Sequence, residues 1–250
     1  LGRVMIGTTD IRIDNPDEAI CTEDEVDYML DLVKRVFPDV TVRRDQIVFR
    51  FCGVRPLPAS DASTTGTISR DHSIRTAPND GKRRYPLHSL VGGKWTTYRA
   101  FSEQTADLAL KELGHNRRSS TSTLPIGGGK GYPTTDAARR TWLENLQKRT
   151  ELPLEQLGTL LDRYGTQAEK FAEYISVGND APLQQLPAYT RRELEYMILH
   201  ERAARLDDLL LRRTLIAMLG ELSQHPTVLD EIAQIMAQAQ GWDKIGRAHV

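Results

Sequence analysis

The chain has 250 residues, 39% of them hydrophobic, and 33 Lys plus Arg stand against 34 Asp plus Glu. A net charge of −1 offers no global basic footprint for nucleic acid. The two cysteines, Cys21 and Cys52, form no CxxC and no metal-ligand spacing, and no apolar run approaches the length that crosses a bilayer.

In chain order, RVMIGTTD reads as a strand ending at Gly7 and a polar turn. TEDEVDYMLDLVKRVFP reads as a helix, because Thr22 and Glu25 have capping-box spacing. Val26, Met29, Leu30, Val33 and Phe37 line one of its faces, and Pro38 follows its end. DQIVFRFCGVRPL reads as an apolar strand that ends at Gly53 and Pro56. TISRDHSIRT alternates, with Ile68, Arg70, His72 and Ile74 on one side of a strand. GKRRYPLHSLVGG is a loop and a strand, and residues 95–113 are a helix with Gly114 as its C-cap. Residues 115–133 are polar and Gly-rich and read as a linker.

Beyond that linker only helical periodicity remains, in segments near 134–149, 154–163, 165–176, 190–203, 205–220 and 226–240. The expected fold class is therefore an α/β or α+β portion over residues 1–114, followed by an all-α domain over 134–243. The chain opens at Leu1 inside a strand-like pattern, which implies that further sequence precedes it. The terminal KIGRAHV, Lys244 to Val250, reads as a non-native tail.

The stretch most suggestive of chemistry is SLVGGKWTTYR, in which Gly92, Gly93 and Lys94 lie between a strand and a helix. Glycines let a ligand approach the backbone closely, and a helix N-terminus presents unpaired N–H groups and positive partial charge. From this motif alone, an anion-binding terminus and a ligand-free turn are equally good readings. It is not a P-loop, because His88 and Trp95 occupy the first Gly and the Ser/Thr positions. Gly127 to Gly131 fails the same test and reads as linker.

Arg55 in GVRP and Arg70 in SRDH lie in apolar or alternating segments, where an unpaired charge is costly to desolvate. Singly, each reads as half of an internal salt bridge, with Asp61 or Asp71 as partner. Taken with Lys94, the pair reads as an anion site, since the guanidinium fork suits phosphate or carboxylate. His72 is a candidate general base, although a satisfied or solvent-facing histidine is the commoner case. His200-Glu201 lacks the second histidine of a zinc-protease motif, with Ala204 in its place. RLDDLLLRR is a packing helix with offset charges.

The ordered blocks IGTTD, GVRPL, SRDH, LVGGKWTTYR and HERAARLDDLLLRRT resemble the FAD-dependent glycerol-3-phosphate dehydrogenases of the respiratory, quinone-reducing kind. The resemblance implies an FAD and substrate domain of the glycine-oxidase type, then a helical C-terminal domain. That family's Gly-x-Gly-x-x-Gly fingerprint is absent from the chain, which implies that this is the C-terminal portion of a longer enzyme, inactive by itself.

The resemblance further implies that Gly53, Val54, Gly92, Gly93, Lys94, Trp95, Thr96 and Thr97 contact FAD. Arg55, Arg70 and Lys94 would hold glycerol 3-phosphate, and Lys94, Arg55 and His72 would serve catalysis. Quinone would accept the electrons at the inner face of the cell membrane, from a cytoplasmic and peripherally attached protein. Homodimerisation is open, and neither a metal nor nucleic acid is expected. Two rival readings are an oxidase that passes electrons to O2 and a non-catalytic anion-binding fragment.

Overall fold

The computed structural model describes residues 2–55, 68 and 71–242. The tail expected at 244–250 lies outside the described residues, as does Arg70. The chain divides into two compact units: Val4–Val42 with Phe51–Leu124, and Arg43–Arg50 with Pro125–Val250 and the first three residues.

The first unit is α+β. Helix α1 (Glu23–Val36) begins as its capping box requires. The Thr22 hydroxyl accepts the Glu25 N–H at 3.3 Å, and Glu25 Oε2 accepts the Thr22 N–H at 2.9 Å. Val26 is buried, while Phe37, expected on the same face, is exposed. Strands β1 (Ser73–Ala77) and β2 (Leu87–Val91) form an antiparallel hairpin, with Ser73 opposite Val91 and Thr76 opposite His88. Arg83 closes the intervening loop by donating to the carbonyls of Pro78 at 2.6 Å and Tyr85 at 2.9 Å.

The strands expected in RVMIGTTD and DQIVFRFCGVRPL are not formed: their described residues are irregular apart from a single 3-10 turn, Arg44–Gln46. An extended segment becomes a strand only when a neighbour accepts its ladder of hydrogen bonds. Among the described residues the one sheet is the β1–β2 pair.

A 3-10 turn (Trp95–Thr97) leads into α2 (Tyr98–Glu112). Its end is the expected glycine stop, with Gly114 at φ +73. The His115 N–H reaches the Leu110 carbonyl and the Gly114 N–H reaches that of Lys111. Segment 117–121 is tied back onto α2 through Glu103. That carboxylate accepts from Arg99 (3.0 Å), Arg117 (2.5 Å), Ser120 (2.9 Å) and the Thr121 N–H (2.8 Å).

The second unit is helical: α3 (Asp136–Thr150), α4 (Leu154–Tyr164), α5 (Ala168–Ser176), α6 (Arg191–His200), α7 (Leu206–Asp208), α8 (Glu221–Gln224) and α9 (Val228–Gln240). Its core is built from Leu157, Leu160 and Leu161 of α4, Phe171 and Ile175 of α5, Leu194 and Met197 of α6, and Ile232 and Met236 of α9. The single helix expected over 205–220 is instead α7, a π-helical turn (Leu209–Arg213) and further turns. Thr214 explains the break, because its N–H and its hydroxyl both bond the Leu209 carbonyl at 2.9 Å, which closes a five-residue turn.

Two features of this unit depart from the expected boundaries. The glycine run read as linker is docked: the Thr166 hydroxyl reaches the carbonyls of Gly128 (3.0 Å) and Lys130 (2.9 Å). A Cβ on Gly128 would lie 2.0 Å from the Tyr164 carbonyl oxygen. In addition, Phe49 packs on the helical core, and Val48 fills the space beside Gly220. Residues 43–50 therefore belong with the helices, although they stand far from them in sequence.

Candidate functional site

Gly92 and Gly93 lie at φ +76 and +102, a region that side-chain-bearing residues rarely enter. A Cβ on Gly92 would also meet the Asp71 carbonyl oxygen at 2.7 Å. The backbone path from β2 into α2 thus requires both glycines. It places Lys94 immediately before the helix, with its side chain exposed.

Thr97 fixes this entry. Its hydroxyl accepts the Lys94 N–H at 3.0 Å and donates to the Lys94 carbonyl at 3.1 Å, while its own N–H bonds the same carbonyl. The Thr97 hydroxyl expected to serve a ligand is therefore engaged by the turn itself. The N–H groups of Trp95 and Thr96, first in the helix, have no acceptor within it. The Trp95 ring is 89% exposed and meets Tyr98 edge-on at 6.3 Å.

Among the described residues, the electrostatics of this terminus differ from those of the other α-helices. The first turns of α1, α3, α4, α5, α6 and α9 each carry an acidic residue, which complements the positive end of the helix dipole. The turn at Trp95–Thr97 and the first turn of α2 carry none, and Lys94 adds positive charge. This donor set suits an anion or an electron-rich carbonyl.

His72, just before β1, joins the turn. The position of a Cβ on Gly93 lies 3.7 Å from His72 Cβ, 3.5 Å from Phe101 Cδ1 and 3.7 Å from the Thr97 hydroxyl. The His72 ring lies 4.5 Å from that of Phe101, and its Nε2 is 3.0 Å from Gln104 Oε1. The structure thus brings together Gly92, Gly93, Lys94, Trp95, Thr96, Thr97 and His72.

Gly53, Val54 and Arg55 lie in an exposed irregular segment. The Arg55 guanidinium stands 4.0 Å from Asp10, and Asp61, considered as a salt-bridge partner, lies outside the described residues. At that distance and exposure the Arg55–Asp10 pair is weak.

Phe101 and Gln104 escaped sequence reasoning. Their three-residue spacing places them on one face of α2, but nothing in the sequence says that His72 faces them. In the helical unit, sequence reasoning also missed a polar cluster. Glu193, 2% exposed, accepts from Arg163 at 2.8 Å and from the Tyr164 hydroxyl at 2.6 Å, and Arg163 stacks on Tyr189 at 3.8 Å. Burial beside this carboxylate raises the Tyr164 hydroxyl far above its ordinary range. The cluster is fully engaged internally, as a structural network would be. Among the described residues no group of His, Cys, Asp and Glu could hold a metal, and no helix is long and apolar enough to cross a membrane.

Residues 1–99 match the family described as FAD dependent oxidoreductase, and residues 119–247 match the C-terminal domain of alpha-glycerophosphate oxidase. A glycerol-3-phosphate dehydrogenase of Synechocystis sp. is 30% identical over 259 residues, which cover 97% of this chain and 43% of the relative. The aerobic glycerol-3-phosphate dehydrogenase of Staphylococcus haemolyticus is 29% identical over 250 residues, 96% of this chain and 43% of that protein. The mitochondrial enzyme of Bos taurus is 31% identical over 251 residues, 96% of this chain and 32% of its own length. The chain thus spans less than half the length of these relatives. Among solved structures, the glycerol-3-phosphate dehydrogenase of Bacillus halodurans complexed with FAD shares the fold. Its TM-score is 0.70 at 20% identity, over 97% of this chain and 46% of that one.

Proposed function

The chain belongs to the family defined by the C-terminal domain of alpha-glycerophosphate oxidase, and from that premise we propose that it is part of an FAD-dependent enzyme oxidising sn-glycerol 3-phosphate to dihydroxyacetone phosphate. The observation that carries this reading is the turn at Gly92–Lys94. It opens a helix with free N–H donors, a cation and no acid, inside the segment matched to the FAD-dependent family.

FAD, when bound, supplies the hydride acceptor. The residues present fit such a group, since the backbone N–H donors of Trp95 and Thr96 and the positive charge of Lys94 would suit the negative charge of a reduced flavin. Lys94, Arg55 and Arg70 bind the phosphate of the substrate and orient its carbinol C–H, which makes the transfer effectively intramolecular. His72, packed against the turn, would take the hydroxyl proton. Gly53 and Val54 are assigned to the cofactor side on the resemblance alone. Quinone is the proposed acceptor, and the inner face of the cell membrane, reached by peripheral attachment, is the proposed location.

One observation favours a second acceptor: the family matched over residues 119–247 is named for an oxidase. Peroxide release during turnover in air separates O2 from quinone.

The decisive experiment uses the protein from its complete reading frame. Adding sn-glycerol 3-phosphate without oxygen is expected to bleach the flavin's visible band. A yellow protein that does not bleach overturns the substrate, and a colourless one overturns the flavin. In the same enzyme Arg55→Ala removes a charge-assisted phosphate contact of about 1.5–3 kcal/mol, so KM should rise roughly tenfold or more. An unchanged KM removes Arg55 from the phosphate site.

A further inference from the structure

We infer that Gln104 is a positioning residue for His72, the histidine packed against the Gly92–Lys94 turn: it holds the imidazole by its Nε2 edge and leaves Nδ1 as the basic nitrogen. This rests on the reading of that turn as the functional site.

His72 lies just outside strand β1, which begins at Ser73. Its ring is constrained from α2. Phe101 and Gln104, one helical turn apart, project from the same face. Phe101 is buried and covers one face of the imidazole, with centroids 4.5 Å apart and planes inclined by 33°. Gln104 Oε1 then meets the ring edge at 3.0 Å from Nε2. A carboxamide oxygen only accepts hydrogen bonds, so Nε2 carries the proton and the neutral ring keeps its lone pair on Nδ1.

The Gly93 turn packs against the root of the side chain, with its Cβ position 3.7 Å from His72 Cβ. An imidazole held by one face and one edge has a single orientation, whereas a free one samples both tautomers and several rotamers. A proton acceptor works only when its lone pair is aimed at the proton it takes. Orientation of a catalytic histidine through its other nitrogen is a common way to achieve this. Gln104 supplies that second hydrogen bond from α2, the same helix whose N-terminus forms the donor set.

The test is nitrogen-15 NMR of the His72 ring in the 250-residue chain, without flavin or substrate, at about pH 9, where imidazole is ordinarily neutral. The wild type should show a pyrrole-type Nε2 with a protected proton and a pyridine-type Nδ1. Gln104→Ala and the near-isosteric Gln104→Met should both lose the protected Nε2 proton and bring the two ring shifts together. Gln104→Glu, which keeps the acceptor, should preserve the wild-type pattern. Using two truncations guards against one of them disturbing α2.

A protonated Nδ1 in the wild type, with the Gln104 amide reversed and donating, overturns the proposal. So does a pattern unchanged in both truncations. If glycerol 3-phosphate fails to reduce the flavin while the ring pattern is as expected, the reaction falls and the His72–Gln104 pair stands. If the flavin is reduced while the tautomer is reversed, only the role of Gln104 falls.

Discussion

Gly128→Ala tests the docking of the glycine run most directly. The added Cβ would stand 2.0 Å from the Tyr164 carbonyl oxygen and 2.6 Å from Gly165 Cα. Backbone cannot yield more than an ångström in place, so the run must lift away from α4. Lifting breaks the Thr166 hydroxyl's bonds to Gly128 and Lys130, a net loss of about 1 kcal/mol. It also opens packing whose disruption typically costs about 1–3 kcal/mol.

The expected destabilisation is therefore about 2–4 kcal/mol, or roughly 8–16 °C in Tm for a unit of this size. Gly131 is the control. It lies at φ +69 with no atom within 4 Å of its Cβ position, so Gly131→Ala carries only backbone strain of about 1 kcal/mol. The assay is helical circular dichroism through thermal and urea unfolding, with trypsin cleavage after Lys130 as a local readout. Gly128→Ala should melt lower than Gly131→Ala and be cut faster. Equal melting of the two variants would refute the close approach, and a Gly128→Ala protein as stable as wild type would show that the run is free.

Glu193→Ala should destabilise the helical unit by about 3–5 kcal/mol in urea unfolding, because it strands the Arg163 charge. Changing both residues to Met should recover much of that loss, and a double variant as weak as Glu193→Ala alone would contradict the argument. Phe49→Ala should lower the stability of the helical unit by about 2 kcal/mol, since Phe49 is partly buried against its core; no change would detach residues 43–50 from it. Glu103, bonded first by the Thr121 N–H and then by Arg99 and Ser120, has its carboxyl lowered from 4.5 to about 2. A lowered folded-state value stabilises the docked 117–121 segment above pH 4.5 and loses that stabilisation as the pH falls from 4.5 towards 2. Amide exchange in that segment should accelerate over this window in the wild type, and Glu103→Gln should abolish the dependence.

Much of the helical architecture was legible because its signals are local. Thr22 with Glu25 set the start of α1, Gly114 set the end of α2, and apolar spacing located α3, α4, α5, α6 and α9. What escaped depends on partners distant in sequence. The runs at 2–7 and 45–55 have strand composition, yet a strand exists only through a neighbour, and composition does not name one. The helical run ends after Arg213 at Thr214, whose N–H and hydroxyl both bond the Leu209 carbonyl. Likewise His72 and Lys94 were legible as reactive residue types. The contact that makes His72 more than a lone histidine comes from Gln104, 32 residues further on.

The two glycine–lysine motifs show why the candidate site was only half readable. Gly92-Gly93-Lys94 and Gly127 to Lys130 look alike in sequence, and both were weighed against a phosphate loop. In the first, both glycines take left-handed backbone angles, and the chain emerges into the fifteen-residue helix α2 with N–H groups unspent and Lys94 exposed. In the second, Gly128 presses backbone to backbone on Gly165, and the carbonyls of Gly128 and Lys130 are taken by Thr166. The first run ends in free donors and the second in engaged acceptors. An electron-rich ligand needs donors, so only the turn at Gly92 has the polarity to hold one. That polarity is set by the helix that follows the glycines and not by the glycines themselves.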